Sequence, residues 1–363
     1  MNGTSSMLLI GVGGSGCAIA RGVSRAFGGG LRFAMIDTDA STGELDGDFL
    51  LIGGDRLSGR GSGGNIVTAK TAFDDSREAI DNLLEGVRTA VVVTSLGGGT
   101  GGGVTCQLAR RLADRGIRSL VFATVPFSFE GENRQRSARS VISLVADSAD
   151  ASFFLPLDRL VGETDNMHDA MRRAVDTVAS GITLFWRLVE KPGYIKLDPE
   201  RVRGIVGGAG RGRFAVFGGQ GPDRAAEIVE AMAKSEALAG DAPVKSILCG
   251  ILAGEDLRLS EISRIAEGAK NAFGRNASFE ISTVNDEETF AGRISVVIML
   301  FEGNGRGADG ETQVSRRTGR RARNILAVGP QGRGRFSNSE PTLLGDEDLD
   351  IPTYVRKEIN LDY

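Results

Sequence analysis

The sequence predicts an α/β protein: a first domain on a parallel sheet, a long central helix, a smaller α+β domain and a disordered tail. Three observations predict it. Short, apolar, β-branched segments alternate with helical patterns as far as Val125. Glycine, at 52 of 363 residues, is over-used and gathers where strands meet helices. A helical pattern from Asp165 to about Glu190 is broken by Pro192 and Gly193, and the order of elements changes after it.

Met7 to Ile10 reads as a short buried strand, followed by glycines and a helix to about Phe27. Leu31 to Ile36 reads as a second strand, ending at Asp37 and Asp39. A helix over Ala69 to Glu85 leads to a strand at Ala90 to Thr94, more glycines, a helix from Val104 to Arg115 and a strand from Ile117 to Val125. Such strands, separated by helices, indicate a parallel sheet covered on both faces. Beyond the long helix, Arg213–Phe217, Val244–Leu252, Ser278–Val284 and Arg293–Phe301 read as strands, with helices at Ala225–Lys234 and Ser260–Ala272.

Residues 303–342 lose this periodicity and hold eight arginines against three acids among Gly and Ser, the composition of a disordered linker. The last 21 residues carry six acids and two bases around an apolar peptide from Leu349 to Val355, which reads as a docking motif.

Composition excludes several function classes. A net charge of −4 gives no global attraction to nucleic acid. The longest strongly apolar run, Ile294 to Phe301, is strand-sized and far short of the roughly 20 residues that span a bilayer. Met7 to Ile10 is too short for a signal-peptide core, so a cytoplasmic protein is expected. Cys17, Cys106 and Cys249 lie far apart and make neither a metal spacing nor a disulfide framework. His168, the single histidine, sits in a polar helical stretch and reads as a surface residue; most zinc sites and any imidazole triad are excluded without it.

Three glycine clusters carry the chemistry. The first, Gly11-Val12-Gly13-Gly14-Ser15-Gly16, joins a strand to a helix, where backbone amides and the positive helix end can meet a phosphate. Its spacing also satisfies the G-x-G-x-x-G dinucleotide fingerprint, with Asp37 at a strand end 21 residues later, and tight strand–helix packing would use the same glycines. The second, Gly59 to Asn65, read alone is a flexible connection. The third, Gly97-Gly98-Gly99-Thr100-Gly101-Gly102-Gly103, has six glycines in seven positions, more than packing readily explains. Each costs roughly 0.5–1 kcal/mol relative to alanine in regular structure, a cost expected where a ligand must reach the backbone. No lysine follows as in a P-loop. Phosphate charge would be met by amides, the Thr100 hydroxyl, the helix dipole and Mg²⁺ on the phosphates, with no protein metal ligands expected.

Taken together, these residues resemble the FtsZ family of tubulin-like GTPases. GGGTGGG differs from the family's GGGTGTG only at Gly102. Gly59 to Asn65 is similar to its G-x-G-x-G-x-N loop, and Phe127-Ser128-Phe129-Glu130-Gly131 with Arg134 to its F-x-F-E-G-x-x-R loop. The tail Asp350-Ile351-Pro352-Thr353-Tyr354-Val355-Arg356-Lys357 is similar to its D-I-P-x-F-L-R-K peptide.

The resemblance implies a GTP/GDP site with Mg²⁺, cradled by Gly13, Gly14, Ser15 and Gly97, Gly98, Gly99, Thr100, Gly101, Gly102 and Gly103. Gly63 and Asn65 would border the γ-phosphate, Glu130 would hold the ribose, and Arg134 would lie near sugar and base. It also implies a head-to-tail homopolymer at the division site, and a membrane-tethering division protein held through Asp350, Ile351, Pro352, Tyr354, Val355 and Arg356. Residues 1–164 would then be the GTPase domain, 165–203 the central helix and hydrolytic loop, 204–302 an activation domain, 303–345 the linker and 346–363 the docking peptide.

Departures bear on mechanism. Cys17 and Ala18 stand where the family has asparagine, and Leu157 replaces the asparagine of N-D-R. Met171 stands in the place of the base-stacking phenylalanine, and Val175 in that of the aspartate that reads guanine, with Asp176 next to it as a substitute. In the family, an N-L-D-x-x-D segment reaches the neighbouring subunit's nucleotide. Here it is Lys196-Leu197-Asp198-Pro199-Glu200-Arg201, so Asp198 keeps the first acid and Arg201 replaces the second. Glu200 could stand in as base, or Arg201 could stabilise phosphoryl charge. Slow hydrolysis is expected. The alternatives are a nucleotide-binding filament or regulatory subunit with little hydrolysis, and an NAD(P)-dependent oxidoreductase built on the first glycine cluster alone.

Overall fold

The computed structural model describes residues 6–27, 30–43, 48–160, 166–191 and 193–303, and the pairs 343–344 and 347–348. In chain order the first half runs β1 (Met7–Val12), α1 (Gly13–Phe27), β2 (Phe33–Asp37), β3 (Asp48–Leu51), α2 (Gly54–Leu57), α3 (Ile66–Asp75), α4 (Arg77–Leu83), β4 (Thr89–Ser95), α5 (Gly99–Asp114), β5 (Arg118–Val125), α6 (Glu132–Ser148) and β6 (Ala151–Pro156). Then come α7 (Met167–Glu190), α8 (Pro199–Val206), β7 (Gly210–Gln220), α9 (Arg224–Ala233), β8 (Ser246–Ala253), α10 (Leu259–Phe273), β9 (Ser278–Asn285), α11 (Glu287–Phe290) and β10 (Arg293–Phe301).

Ten strands form one sheet in the order β3-β2-β1-β4-β5-β6-β7-β10-β8-β9. From β3 to β7 every neighbouring pair is parallel; β10 lies antiparallel between β7 and β8, and β8 pairs parallel with β9. The parallel strands are buried on both faces, β1 and the first six residues of β4 completely, which is why they read as unbroken apolar runs. The chain leaves β1 in one direction through β2 and β3, then returns to β4 on its other side and continues outward. The strand order therefore reverses between β1 and β4, and in open parallel sheets the crevice at the carboxyl ends beside such a reversal is where ligands bind.

The long helix α7 begins at an N-cap, Asn166, whose side chain accepts from the Asp169 N–H, and runs for 24 residues. Its buried face, Val178, Ile182, Phe185 and Trp186, joins Leu9, Ile19 and Val91 of the first half to Leu248, Leu252, Val297 and Met299 of the second in one core. Phe122, Phe153, Phe214 and Phe301 interlock in that core, with Phe122 stacked on Phe153 at 4.8 Å. Each such ring contributes roughly 1.5–3 kcal/mol by burial.

Several elements differ from the expectation. The helix over Ala69–Glu85 is two helices parted at Ser76, whose Oγ accepts from the Gly53 N–H at 3.1 Å. α5 starts at Gly99 rather than Val104, so most of the third glycine cluster is helix. α6 and β6 went unassigned because polar residues fill the first two turns of α6 and β6 is only six residues long. Ala138, Val141 and Val145, spaced three and four apart, are the signal that α6 does carry.

Cys17, Cys106 and Cys249 are all free and buried, and burial pushes the Cys17 and Cys249 thiols up to about 12. A thiol-reactive disulfide reagent at pH 8 should therefore label none of the three in the native protein and all three in guanidinium. A fast native thiol would contradict this packing.

Separately, β11 (Leu343–Leu344) pairs antiparallel with β12 (Glu347–Asp348). Apart from these residues and Gly303, the expected linker and docking peptide, including Asp350, Ile351, Pro352, Tyr354, Val355 and Arg356, lie outside the described residues. Among the described residues no helix is long and apolar enough to cross a membrane.

Candidate functional site

At the carboxyl ends of β1 and β4 lies an open cleft of about 570 Å³, lined by all three glycine loops. The first contributes Gly13, Gly14 and Ser15; the second Arg60, Gly61, Ser62, Gly63 and Gly64; the third Gly97, Gly98, Gly99, Thr100 and Gly101. Asp37, Thr38, Asp39 and Thr42 close one side, and Glu130, Asn133, Arg134 and Ser137 another.

Two helices point their N-termini into it. Neither α1 nor α5 has an acid in its first turn, and the N-cap of α5, Gly98, has no side chain to accept from the helix amides. Those amides and the two positive helix ends are free for an anion. A β-carbon on Gly98 would meet nothing within 4 Å, and one on Gly14 nothing nearer than 4.0 Å, so the backbone is open to the cleft at both. This donor set fits a polyphosphate.

The loops are tied to one another beneath the cleft. Thr100 Oγ1 lies 2.7 Å from Thr38 Oγ1 and 3.3 Å from Ser62 Oγ, a chain of hydroxyls linking α5, the end of β2 and the second glycine loop. Asp37, 3% exposed, accepts from the Thr38 N–H and the Thr42 hydroxyl. Thr38 and Thr42 escaped the sequence reading, because nothing in sequence distance shows that β2 ends beside the third glycine loop; Ser62 was legible only as part of the second glycine loop, with no role of its own.

The third cluster proves to be two things. Gly97 and Gly98 are loop, but a β-carbon on Gly101 would overlap the Ser95 carbonyl, one on Gly103 would come 2.5 Å from the Ile66 carbonyl, and one on Gly99 would come 2.6 Å from Asn65 N. Close packing of α5 thus accounts for glycines that the sequence argument gave to the ligand. Gly102 and Gly103 do not line the cleft. Nor does Asn65; its Oδ1 caps α3, accepting from the Val67 and Thr68 N–H groups.

Glu130, which lines the cleft, accepts from the Phe127 N–H at 2.8 Å and from Arg134. A smaller cavity continues from there, lined by Ser15, Ser95, Thr124, Glu130, Arg134, Leu157, Met171, Ala174 and Val175. Asp176 is exposed and lines neither cavity, since one residue along a helix turns the side chain about 100°. Cys17 is a packing residue, donating to the Gly11 and Ile36 carbonyls. His168 stands at 86% side-chain exposure. Among the described residues no group of His, Cys, Asp and Glu could hold a metal ion.

Asp198, Glu200 and Arg201 lie elsewhere. The expected hydrolytic loop is largely the start of α8, with Pro199 in its first turn and Asp198 as N-cap, accepting from the Glu200 N–H at 2.8 Å. Glu200 pairs with Arg88 at 2.9 Å and with Arg203, and Arg201 pairs with Glu280. These residues border a second hollow of about 720 Å³ together with Lys245, Ser246 and Ser278. Arg88 precedes β4 and Gly97 follows it, so the two hollows stand at opposite ends of a seven-residue strand, roughly 20 Å apart.

Residues 6–165 match the Tubulin/FtsZ family, GTPase domain. The cell division protein FtsZ of Pseudomonas putida is 29% identical over 287 residues, covering 77% of this chain and 72% of that protein. An FtsZ dimer from M. jannaschii superposes with a TM-score of 0.76 at 23% identity, covering 81% of this chain and 87% of that one. A GTPγS-bound protofilament of CetZ2 from Haloferax volcanii superposes at 0.69 and 21%, covering 82% and 92%. At these identities the structural likeness is one of fold.

Proposed function

Because the chain belongs to the FtsZ family of tubulin-like proteins, whose members are GTPases that bind GTP and GDP, we propose that it binds GTP in the cleft at the ends of β1 and β4 and polymerises head to tail into filaments at the division site. Hydrolysis is completed between subunits. The observation that carries this reading is the separation of the two hollows. Asp198 stands roughly 20 Å from the glycine loops of its own chain, so it meets a nucleotide only on another copy. A contact between the glycine-loop end of one copy and the α8 end of the next is heterologous, and repeated it gives a filament. The FtsZ dimer and CetZ2 protofilament among the structural relatives support self-association.

In the cleft, the amides of Gly13, Gly14, Gly98 and Gly99 and the ends of α1 and α5 hold the phosphates. Gly63 borders the terminal phosphate, Glu130 takes the ribose and Arg134 lies beside it. Mg²⁺ bound on the phosphates would supply the charge that lysine supplies in a P-loop. The tail peptide from Asp350 to Arg356 docks on a membrane-tethering division protein, a reading that rests on its sequence alone.

Purified protein with Mg²⁺ should scatter light with GTP and not without nucleotide. Phosphate release per chain should rise with protein concentration, because each site needs two copies. Turnover per chain that is flat with concentration would place the whole site within one subunit and sink the reading. A second reading, a filament or regulatory subunit with little hydrolysis, is favoured by the ion pairs that occupy Glu200 and Arg201. Assembly with GTP and no phosphate release would select it.

A further inference from the structure

The geometry points to the Arg60 side chain as the group that binds the terminal phosphate, and so separates the nucleoside triphosphate from the diphosphate. This rests on the cleft being the nucleotide site. The backbone at Arg60 is pinned on every side. Its own N–H donates to the Leu57 carbonyl at 3.0 Å, the Gly61 N–H to the Thr38 carbonyl at 3.0 Å, and the Ala40 N–H to the Gly59 carbonyl at 2.9 Å. Gly59 and Gly61 flank it with φ of 70° and 76°, the left-handed region that glycine enters without strain. Thr38, which holds this loop, is joined through its hydroxyl to Thr100 in the first turn of α5. Arg60 is therefore fixed relative to the helix end that offers its amides to an anion.

The side chain itself is uncommitted. Arg60 is exposed on the cleft lining, and among the described residues it makes no ion pair and no side-chain hydrogen bond. It faces Asp39 across an isolated antiparallel bridge, but Asp39 Oδ1 is taken by the Ser41 N–H and hydroxyl at 2.9 and 2.7 Å. The other cation of the described lining, Arg134, is held by Glu130. Without Arg60, an anion on this side would meet the carboxylates of Asp37 and Asp39 with no cation against them. Its place along the nucleotide follows from the two cavities. Glu130 and Arg134 line both the cleft and the smaller cavity, whereas Arg60, Asp39 and the second glycine loop line the cleft alone. With the sugar at Glu130, the phosphates run past Gly14 and Gly98 and the last of them ends at the second loop. A guanidinium forks onto phosphate oxygens through two parallel N–H bonds, and a diphosphate stops one phosphate short of it.

The test is calorimetric titration of the full chain with GTP and with GDP, in Mg²⁺ and at protein concentrations that scatter no light. Arg60→Gln should weaken GTP at least about tenfold and GDP by no more than about twofold, the worth of hydrogen bonds to a charged group that only the triphosphate receives. Arg60→Lys, which keeps a point charge but loses the fork, should recover part of the GTP affinity. Arg56→Gln removes a nearby exposed arginine that pairs with Asp75 outside the cleft, and should change neither affinity. Equal weakening of GTP and GDP in Arg60→Gln would overturn the inference, as would unchanged affinity for both. Unchanged affinities with a higher protein concentration needed for assembly would also overturn it, and would assign Arg60 to the neighbouring copy. In all three cases the cleft remains a GTP site; wild-type protein that binds neither nucleotide would overturn both readings.

Discussion

Asp198→Asn is expected to leave folding, nucleotide binding and assembly intact while slowing phosphate release by about 10²–10⁴-fold, the usual worth of a positioned base. The substitution separates two roles that Ala would confuse. Asp198 Oδ1 caps α8, accepting from the Glu200 N–H, and losing a cap costs about 1 kcal/mol. Asparagine caps as well as aspartate, so stability holds, but its amide cannot take a proton from water. On the proposed reading, Asp198 is the acid of this segment that no ion pair among the described residues engages. Glu200 is held on its own subunit by Arg88 and Arg203, and a cation such as Arg201, itself bound to Glu280, cannot serve as a base. Single-turnover phosphate release from assembled protein checks this. A variant that turns over at the wild-type rate would remove Asp198 from the chemistry and leave it a helix cap.

Gly101→Ala is expected to do the opposite, disrupting the fold locally and abolishing nucleotide binding with it. The added methyl would overlap the Ser95 carbonyl, with the Thr94 hydroxyl 3.0 Å away, and both belong to the central strand β4, which is held by β1 and β5 on either side. Relief requires α5 to move off the sheet. Overpacking of this kind typically costs about 1–3 kcal/mol. The same motion breaks the Thr38–Thr100–Ser62 hydroxyl chain that aligns the loops.

Gly98→Ala is the control. Its φ of −102° suits any residue and its methyl meets nothing, so the unfolding midpoint should stay while affinity for GTP falls. Denaturant unfolding and nucleotide competition, run on both variants, distinguish the two effects. A Gly101→Ala protein with the wild-type midpoint would show that α5 is not packed as described.

These variants also show where sequence reasoning reached its limit. The glycine run was legible as a place where something approaches the backbone, but not what approaches. For Gly99, Gly101 and Gly103 the approaching group is the chain itself, at the second glycine loop, Ser95 and Ile66. For Gly98 it is the open cleft. Asn65 shows the same limit: its motif marked it for the phosphate, and its side chain spends its acceptor on α3. On α7, the alternation of polar and apolar residues marked a long helix correctly, and only its packing against α1 and the sheet settled that Val175 rather than Asp176 lines the small cavity beside Glu130.

From residue order alone came the parallel strands, the long helix, the three glycine-rich loops and the family resemblance. All of these depend on local composition and short-range periodicity, which a chain carries before it folds. The tertiary structure alone decided which glycines open onto the cleft and which are filled by packing, which face of α7 borders the small cavity, and that Asp198 stands a full strand length from the glycine loops of its own chain. Each of these is a matter of which atoms lie within about 3 Å of one another, or 20 Å apart, across the sheet. Such distances are set by strand order and helix rotation, and spacing along the sequence does not encode them.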